Sequence, residues 1–412
     1  MYPQHFKHNY ILGILNGIFY NVGLAFINRT TIIPAFLSQL TKSSFLIGIA
    51  SLSESLGWYL PQIFVAKFIV HKPRKLPLYN TAALFRSSGL IGLTVLTFVL
   101  GNRYPAALLY GFLFMLGIFA LTGGVSGPSF MDIVGKAIPA EKRGSFWGWR
   151  ITVSATTSAI LGWAVINSIL GSYPYPLNFG ISFAIGAALM TTGMLIFSAV
   201  KEPLEPTIEE PRTLTEHFET SKAVILQDKR FKRFFFCRLL AGCWMMGVPF
   251  YVIFARTALH FREEQLGTFI TYEAGGYIVS NLLWATLSNR VGNRIVLRLV
   301  SVVMLVAPTL VLIYSYLPLN TSFYGLIFFS VGATDSGLGI GGLNYIIEIS
   351  PEHDRPTYIG LLNTFLALTL LSAGLGGIIV DTFSFTALYS TVLVIALLVV
   401  VTTLKLDEPR DM

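Results

Sequence analysis

The sequence predicts an all-α integral membrane protein of twelve transmembrane helices in two pseudo-symmetric six-helix bundles. Three observations predict it. The 412 residues are 54% hydrophobic and 12% charged, with mean hydropathy +0.66, where soluble domains carry roughly 25% charge. Apolar stretches of about 20 residues, enough to cross a hydrocarbon core of roughly 30 Å as a helix, recur along nearly the whole chain. The second half repeats polar positions of the first at fixed offsets.

The first span, Ile11–Leu37, follows a short polar segment; with Asn16, Asn21 and Asn28 it is too long and too polar for a cleaved signal peptide. The second, Phe45–Val70, carries Glu54, Trp58 and Gln62 on one face. Leu78–Leu100 contains Arg86, and Ala106–Val134 contains Gly123, Gly124 and Gly127 ahead of Pro128, small residues that favour close packing or bending. Phe146–Leu170 holds Arg150, and Leu177–Val200 closes the first bundle. The second bundle begins with Phe234–Phe254, where Cys237 and Cys243 lie roughly 9 Å apart along the axis, beyond disulfide reach. Leu266–Leu287 carries Glu273, Tyr277 and Asn281. Ile295–Leu317, Phe323–Ile349 with Asp335, Tyr358–Val380 and Phe385–Leu404 complete the set.

The formal charge of +8 does not call for a nucleic-acid partner, because the basic residues concentrate in short loops between spans. That is the pattern of the positive-inside rule with both termini in the cytoplasm. On that topology Arg29, Lys42, Arg103, Arg256 and Arg262 face outward, and Arg86, Arg150 and Arg238 lie inside spans.

An offset of 219 superposes Gly48 on Gly267, Glu54 on Glu273, Trp58 on Tyr277 and Gln62 on Asn281. Spans 2 and 8 therefore present the same stripe of carboxylate, aromatic and carboxamide. An offset of 212 superposes the loop running from Pro139 through Arg143 and Phe146 to Gly148 on the one running from Pro351 through Arg355 and Tyr358 to Gly360. Repeats in the same orientation are a design of carriers whose substrate site lies at the repeat interface near the bilayer midplane. The expected domains are residues 1–200, a cytoplasmic linker at 201–233, and residues 234–412. The linker reads as an amphipathic helix after Pro203, Pro206 and Pro211, opened by Thr213 with Glu216.

These features resemble the major facilitator superfamily over essentially the whole chain. The family's signature between helices 2 and 3, repeated between helices 8 and 9, is Gly-x-x-x-Asp-Arg-x-Gly-Arg-Arg. Here the second copy reads Ala285 to Arg294 and keeps Arg290, Gly292 and Arg294, with Asn289 in place of the Asp. The first copy, Ala66 to Lys75, keeps little beyond Arg74 and Lys75. The resemblance implies a cytoplasmic gate at this loop, while the loss of the Asp removes the standard latch; a basic loop serving topology alone is the alternative. The family's Arg-x-x-x-Gly of helix 4 and the Gly-Pro motif of drug antiporters are missing.

Carboxylates deep in the bilayer cost roughly 2.5–3.5 kcal/mol on insertion scales unless they pair, protonate or meet water. Glu54 and Glu273 lie roughly 14 Å along their spans and Asp335 roughly 18 Å. Each is either a proton carrier or a structural acid. Asp335, among Gly332, Gly337, Gly339, Gly341 and Gly342, is the first candidate, and in the resembled family helix 10 lines the cavity. Asn21, with Asn16 and Asn28, offers either substrate contacts or interhelical hydrogen bonds. Trp58, Tyr277, Trp244 and Tyr251 either line a cavity or form core and belt. Arg86, Asp132, Arg150 and Glu348 are read as lying close to helix ends, where a cytoplasmic gate would form or arginines would snorkel. All six histidines fall at or beyond span ends, which excludes a buried histidine relay.

The expected activity is secondary transport of a small solute by alternating access, coupled to protons through Asp335, Glu54 or Glu273, by a monomer in contact with membrane lipids. The expected site is a multi-pass location in a cell membrane, a bacterial inner membrane by its short loops. A lipid flippase or scramblase and a facilitative uniporter are the alternatives on the same fold. No cofactor or metal is expected. There is no His-Glu-x-x-His and no Gly-x-Ser-x-Gly, and no phosphate-binding loop Gly-x-x-x-x-Gly-Lys-[Ser/Thr], so neither an enzyme nor a primary pump is expected.

Overall fold

The structure, a computed structural model, describes residues 5–60, 73–204, 228–317, 320–351 and 355–409; the expected linker helix and Gln62 lie outside them. Among the described residues every regular element is helical. In chain order these are α1 (Phe6–Ala25), α2 (Ile32–Leu40), α3 (Ser44–Tyr59), α4 (Leu76–Leu100), α5 (Pro105–Ala137), α6 (Ala140–Leu161), α7 (Asn167–Ser172) and α8 (Leu177–Ser198). They continue with α9 (Lys229–Cys243), α10 (Val248–Ala258), α11 (Leu266–Arg290), α12 (Asn293–Val303), α13 (Val306–Tyr316), α14 (Gly325–Ile349), α15 (Arg355–Leu370), α16 (Ser372–Thr382) and α17 (Phe385–Leu404). Among the described residues, nine helical runs are long and apolar enough to cross a membrane, and the chain is a multi-pass membrane protein.

Short irregular turns subdivide several spans. A π turn at Gly162–Ile166 joins α6 to α7, and a 3₁₀ turn at Trp244–Gly247 joins α9 to α10. The first span departs most from expectation. It starts at Phe6, breaks after Ala25 and resumes at Ile32, and the Asn28 side chain organises the turn between the two helices. Its Oδ1 accepts from the Thr30 and Thr31 backbone N–H groups at 2.8 and 2.9 Å and from both hydroxyls at 2.5 and 3.0 Å. Arg29, expected at the outer end of the span, therefore sits in the break with α2 still ahead of it. Eleven residues, Thr30–Leu40, separate it from the span's end, nine of them helical, about 13 Å of helix.

The chain divides into two compact units. The first comprises Met1–Lys42, Ser53–Pro211 and Arg262–Gly267, and the second Ser43–Leu52, Arg212–Phe261 and Thr268–Met412. Within the first, α4 packs along α5 and α8, and α1 along α8 and α6. Within the second, α12 packs along α14 and α17, and α9 along α17 and α15. Counted by span, both units use the pairs 3·4, 3·6, 1·6 and 1·5. The duplication is thus structural as well as sequential.

Aromatic residues fill each interior. Phe36 lies within ring contact of Phe112, Phe179 and Phe183. In the second unit Tyr251 stacks on Tyr389 at 4.9 Å, and Phe269 on Phe328 at 4.5 Å. Tyr251 and Trp244, offered by their spacing as cavity residues, are core instead. Both are fully buried, Trp244 donates its indole N–H to the Met304 carbonyl at 2.9 Å, and the Tyr251 carbonyl accepts from the Tyr324 hydroxyl at 2.6 Å.

Candidate functional site

The polar stripe of α3 is held between α4 and α5. Gly57 has no side chain because a Cβ there would run into the Ala120 backbone, and Gly127 leaves room for the Trp58 ring. That approach presents Glu54 to α4, where its Oε1 accepts from Arg86 Nη2 at 3.4 Å and from the Tyr20 hydroxyl at 3.3 Å. The Arg86 guanidinium lies over the Phe119 and Tyr20 rings, 4.5 and 5.1 Å from their centroids, an arrangement that offsets part of its desolvation. Arg86 is 3% exposed and stands well inside α4, where Leu76 to Arg86 is about 15 Å of helix. The expectation that it lies at a helix end is corrected: its partner Glu54 draws it into the interior.

Arg150, on α6, is 8% exposed. Its Nη1 donates to the Gly13 carbonyl at 2.6 Å and to Asn16 Oδ1 at 2.8 Å, and its guanidinium covers the Phe130 ring at 4.8 Å. Gly17 accommodates the Arg150 stem: any Cβ there would overlap it. Asn16 in turn donates to the Gly193 carbonyl at 2.8 Å, and Asn21 to Ser154 Oγ at 3.3 Å. Tyr79 lies within electrostatic reach of both Arg86 and Arg150. Tyr20, Tyr79, Asn16, Glu54, Arg86 and Arg150 therefore form one polar cluster on α1, α3, α4 and α6. Asp132 is not part of it, since it pairs with Lys136 one turn along α5 at 2.6 Å.

The second unit repeats the packing with other chemistry. Gly276, the residue the repeat offset matches to Gly57, meets the Phe329 carbonyl of α14, and Gly332 meets the Glu273 carbonyl and the Tyr277 amide of α11. The stripe Glu273, Tyr277 and Asn281 thus runs along α14. Asn281 donates to Ser336 Oγ at 3.2 Å, Trp284 donates to the Ala333 carbonyl at 3.0 Å, and Asp335 acts electrostatically on Tyr277. Glu273 and Asp335 are half-buried.

The loop signature is ordered by Glu408 and Asn293, which the sequence pattern did not single out, together with Glu348. Gly292 adopts φ 120°, a conformation glycine tolerates, and Glu408 lies against it, also pairing with Arg294 Nε at 3.2 Å. Asn293 accepts from Ser288 at 2.7 Å and donates to Glu348 at 2.8 Å. Asn289 and Arg290 are exposed. In the first unit Glu202 takes the corresponding place, accepting from the Lys75 and Leu76 amides at 2.8 Å. A signal existed in the sequence: Glu-Pro follows the last span of each half, at Glu202-Pro203 and Glu408-Pro409.

Residues 234–412 match the sequence model of the Major Facilitator Superfamily. The whole chain superposes on solved transporter structures at low identity. The superposition covers 99% of this chain and 100% of a D-xylose-proton symporter, with TM-score 0.74 at 13% identity. A mutant of a nucleoside transporter gives 98%, 99%, 0.71 and 12%. A POT family transporter in complex with a thioalcohol-conjugated peptide gives 96%, 94%, 0.72 and 12%. The chain has the fold of these transporters, and its second half, residues 234–412, matches the superfamily's sequence model. A comparison with curated proteins gives no match.

Proposed function

We propose that the protein is a major facilitator secondary carrier that moves a small solute across a cell membrane by alternating access, with proton coupling. The observation that carries this reading is the cluster of Tyr20, Glu54 and Arg86 inside the spans. Ionisable residues are costly there and mark substrate or ion pathways. The similarity to structures described as a symporter and as solute transporters supports the same class.

Asp335 is the first candidate for the coupling proton, with Glu54 and Glu273 as the others. Asn21, Trp58, Tyr277 and Asn281 are the proposed solute contacts, and the loop around Gly292 and Arg294 the proposed gate. The carrier works as a monomer with both termini in the cytoplasm, in a bacterial inner membrane.

Thermal unfolding of the purified protein and of Asp335→Asn, with sugars, organic cations, organic acids, amino acids and lipids at two pH values, tests this. A ligand at 100 times its Kd adds about 2.7 kcal/mol. The expected result is stabilisation by one soluble class, with a pH dependence that disappears in Asp335→Asn. Stabilisation by lipids alone would replace the carrier with a flippase, and an unchanged pH dependence would return Asp335 to a structural role.

A further inference from the structure

We infer that the first unit contains an anion-binding site built on Arg86 and Arg150, which receives a carboxylate or phosphate group of the transported solute. The inference rests on the carrier reading above and adds the substrate's charge.

The argument is one of charge balance. Residues 1–200 contain three acidic side chains, Glu54, Asp132 and Glu141. Asp132 is taken by Lys136, and Glu141 is exposed in the first turn of α6. Glu54 alone reaches the buried arginines, and it meets only Arg86, at 3.4 Å. Arg150 is held by two neutral oxygens, the Gly13 carbonyl and Asn16 Oδ1. Among the described residues the cluster therefore carries two guanidinium charges against one carboxylate.

An uncompensated buried charge is strongly destabilising unless a counter-charge arrives. Packing alone would be served as well by an uncharged side chain at position 150, yet Gly17 is kept bare beside it and Gly123 beside Arg86, where a Cβ would stand 2.9 Å from the guanidinium carbon. The sequence thus makes room for both cations.

The donors also remain open. Arg86 Nε is buried without a hydrogen-bond partner, and Arg150 uses Nη1 for its two bonds. A guanidinium presents five donors in a planar fork suited to bidentate capture of a carboxylate or phosphate. The two arginines address successive turns of α1, at Asn16 and Tyr20, which lie about 6 Å apart along the axis. Tyr20, whose ring lies under Arg86, and Tyr79 add neutral hydroxyl groups to the same cluster.

The test is thermal unfolding of the full-length protein with malate, glutamate, glycerol 3-phosphate and glucose 6-phosphate, against glycerol, glucose and choline as neutral and cationic controls. The carboxylate and phosphate arms separate the two sources of the anion. The expected result is an anion-specific rise in Tm, an apparent Kd weakened at least about tenfold in Arg150→Gln, and partial recovery in Arg150→Lys. A purely structural arginine would lower the starting Tm in both variants and leave the anion-dependent shift intact, which overturns the inference. Uptake into proteoliposomes separates the two readings. Entry of neutral or cationic solutes with no anion effect overturns the anion site and leaves the carrier standing; uptake of no solute of any class removes the carrier itself.

Discussion

The Glu202 carboxylate caps α4 at its N-terminus, accepting the Lys75 amide at 2.8 and 2.9 Å through its two oxygens and the Leu76 amide at 2.8 Å. Its side chain is 2% exposed and lies 3.8 Å from the Lys136 ammonium. An anion at a helix N-terminus meets both orphan N–H groups and the positive end of the dipole. Glu202 therefore ties the end of the sixth span to the start of the third.

Glu202→Ala removes three charge-assisted acceptor contacts and leaves buried amides bare. The expected loss is about 2–3 kcal/mol, seen as a lower Tm in detergent. Glu202→Gln, which keeps one oxygen, falls between the variant and the parent. A Tm unchanged in Glu202→Ala would show that the cap contributes nothing.

Gly123→Ala places a methyl group 2.9 Å from the Arg86 guanidinium carbon. The arginine must move away from Glu54, and overpacking of this kind costs about 1–3 kcal/mol. Because the damage acts through Arg86, the change is expected to cost less in an Arg86→Met background; a double-mutant cycle on thermal unfolding measures the difference. Strict additivity would separate Gly123 from the ion pair.

The multi-span all-helical pattern and the duplication were legible because hydropathy and a polar stripe at helical spacing survive in a single sequence. Glu54, Trp58, Glu273, Tyr277 and Asn281 fall on the packed stripes for that reason. The partners were not legible. Nothing in the local sequence says that Arg86 reaches Glu54 from another span, or that Tyr20 and Tyr79 join them, since such contacts depend on how helices far apart in the chain are paired. The break at Asn28 was hidden for a different reason: Ile27 and Ile32 keep the stretch apolar while one side chain redirects the backbone. Glu202 and Glu408 stood in plain view as a repeated Glu-Pro, outside the spans where membrane charge attracted attention.

Gly292→Ala imposes a Cβ on a residue at φ 120° and drives it to 2.7 Å from Glu408 Oε1. Strained backbone of this kind costs about 1–3 kcal/mol, and the displaced carboxylate also leaves Arg294. The expected outcome is a lower Tm together with faster proteolysis of the chain's C-terminal end; a variant as stable as the parent would mean that the loop rearranges freely around the new methyl group.

Asn28→Ala tests the broken first span. One oxygen serves four donors of Thr30 and Thr31, and alanine offers none. Leaving buried donors of this turn without an acceptor costs about 1–3 kcal/mol. Here the consequence extends to Arg29, whose Nη1 donates to Ser55 Oγ at 2.6 Å from the turn that Asn28 organises. Asn28→Asp retains the acceptor and is expected to keep most of the stability, whereas Asn28→Ala is expected to lose it and to expose the break to solvent exchange. Hydrogen exchange at Thr30 and Thr31 reads the difference directly: equal protection in Asn28→Ala and the parent would show that the helix is redirected by packing alone.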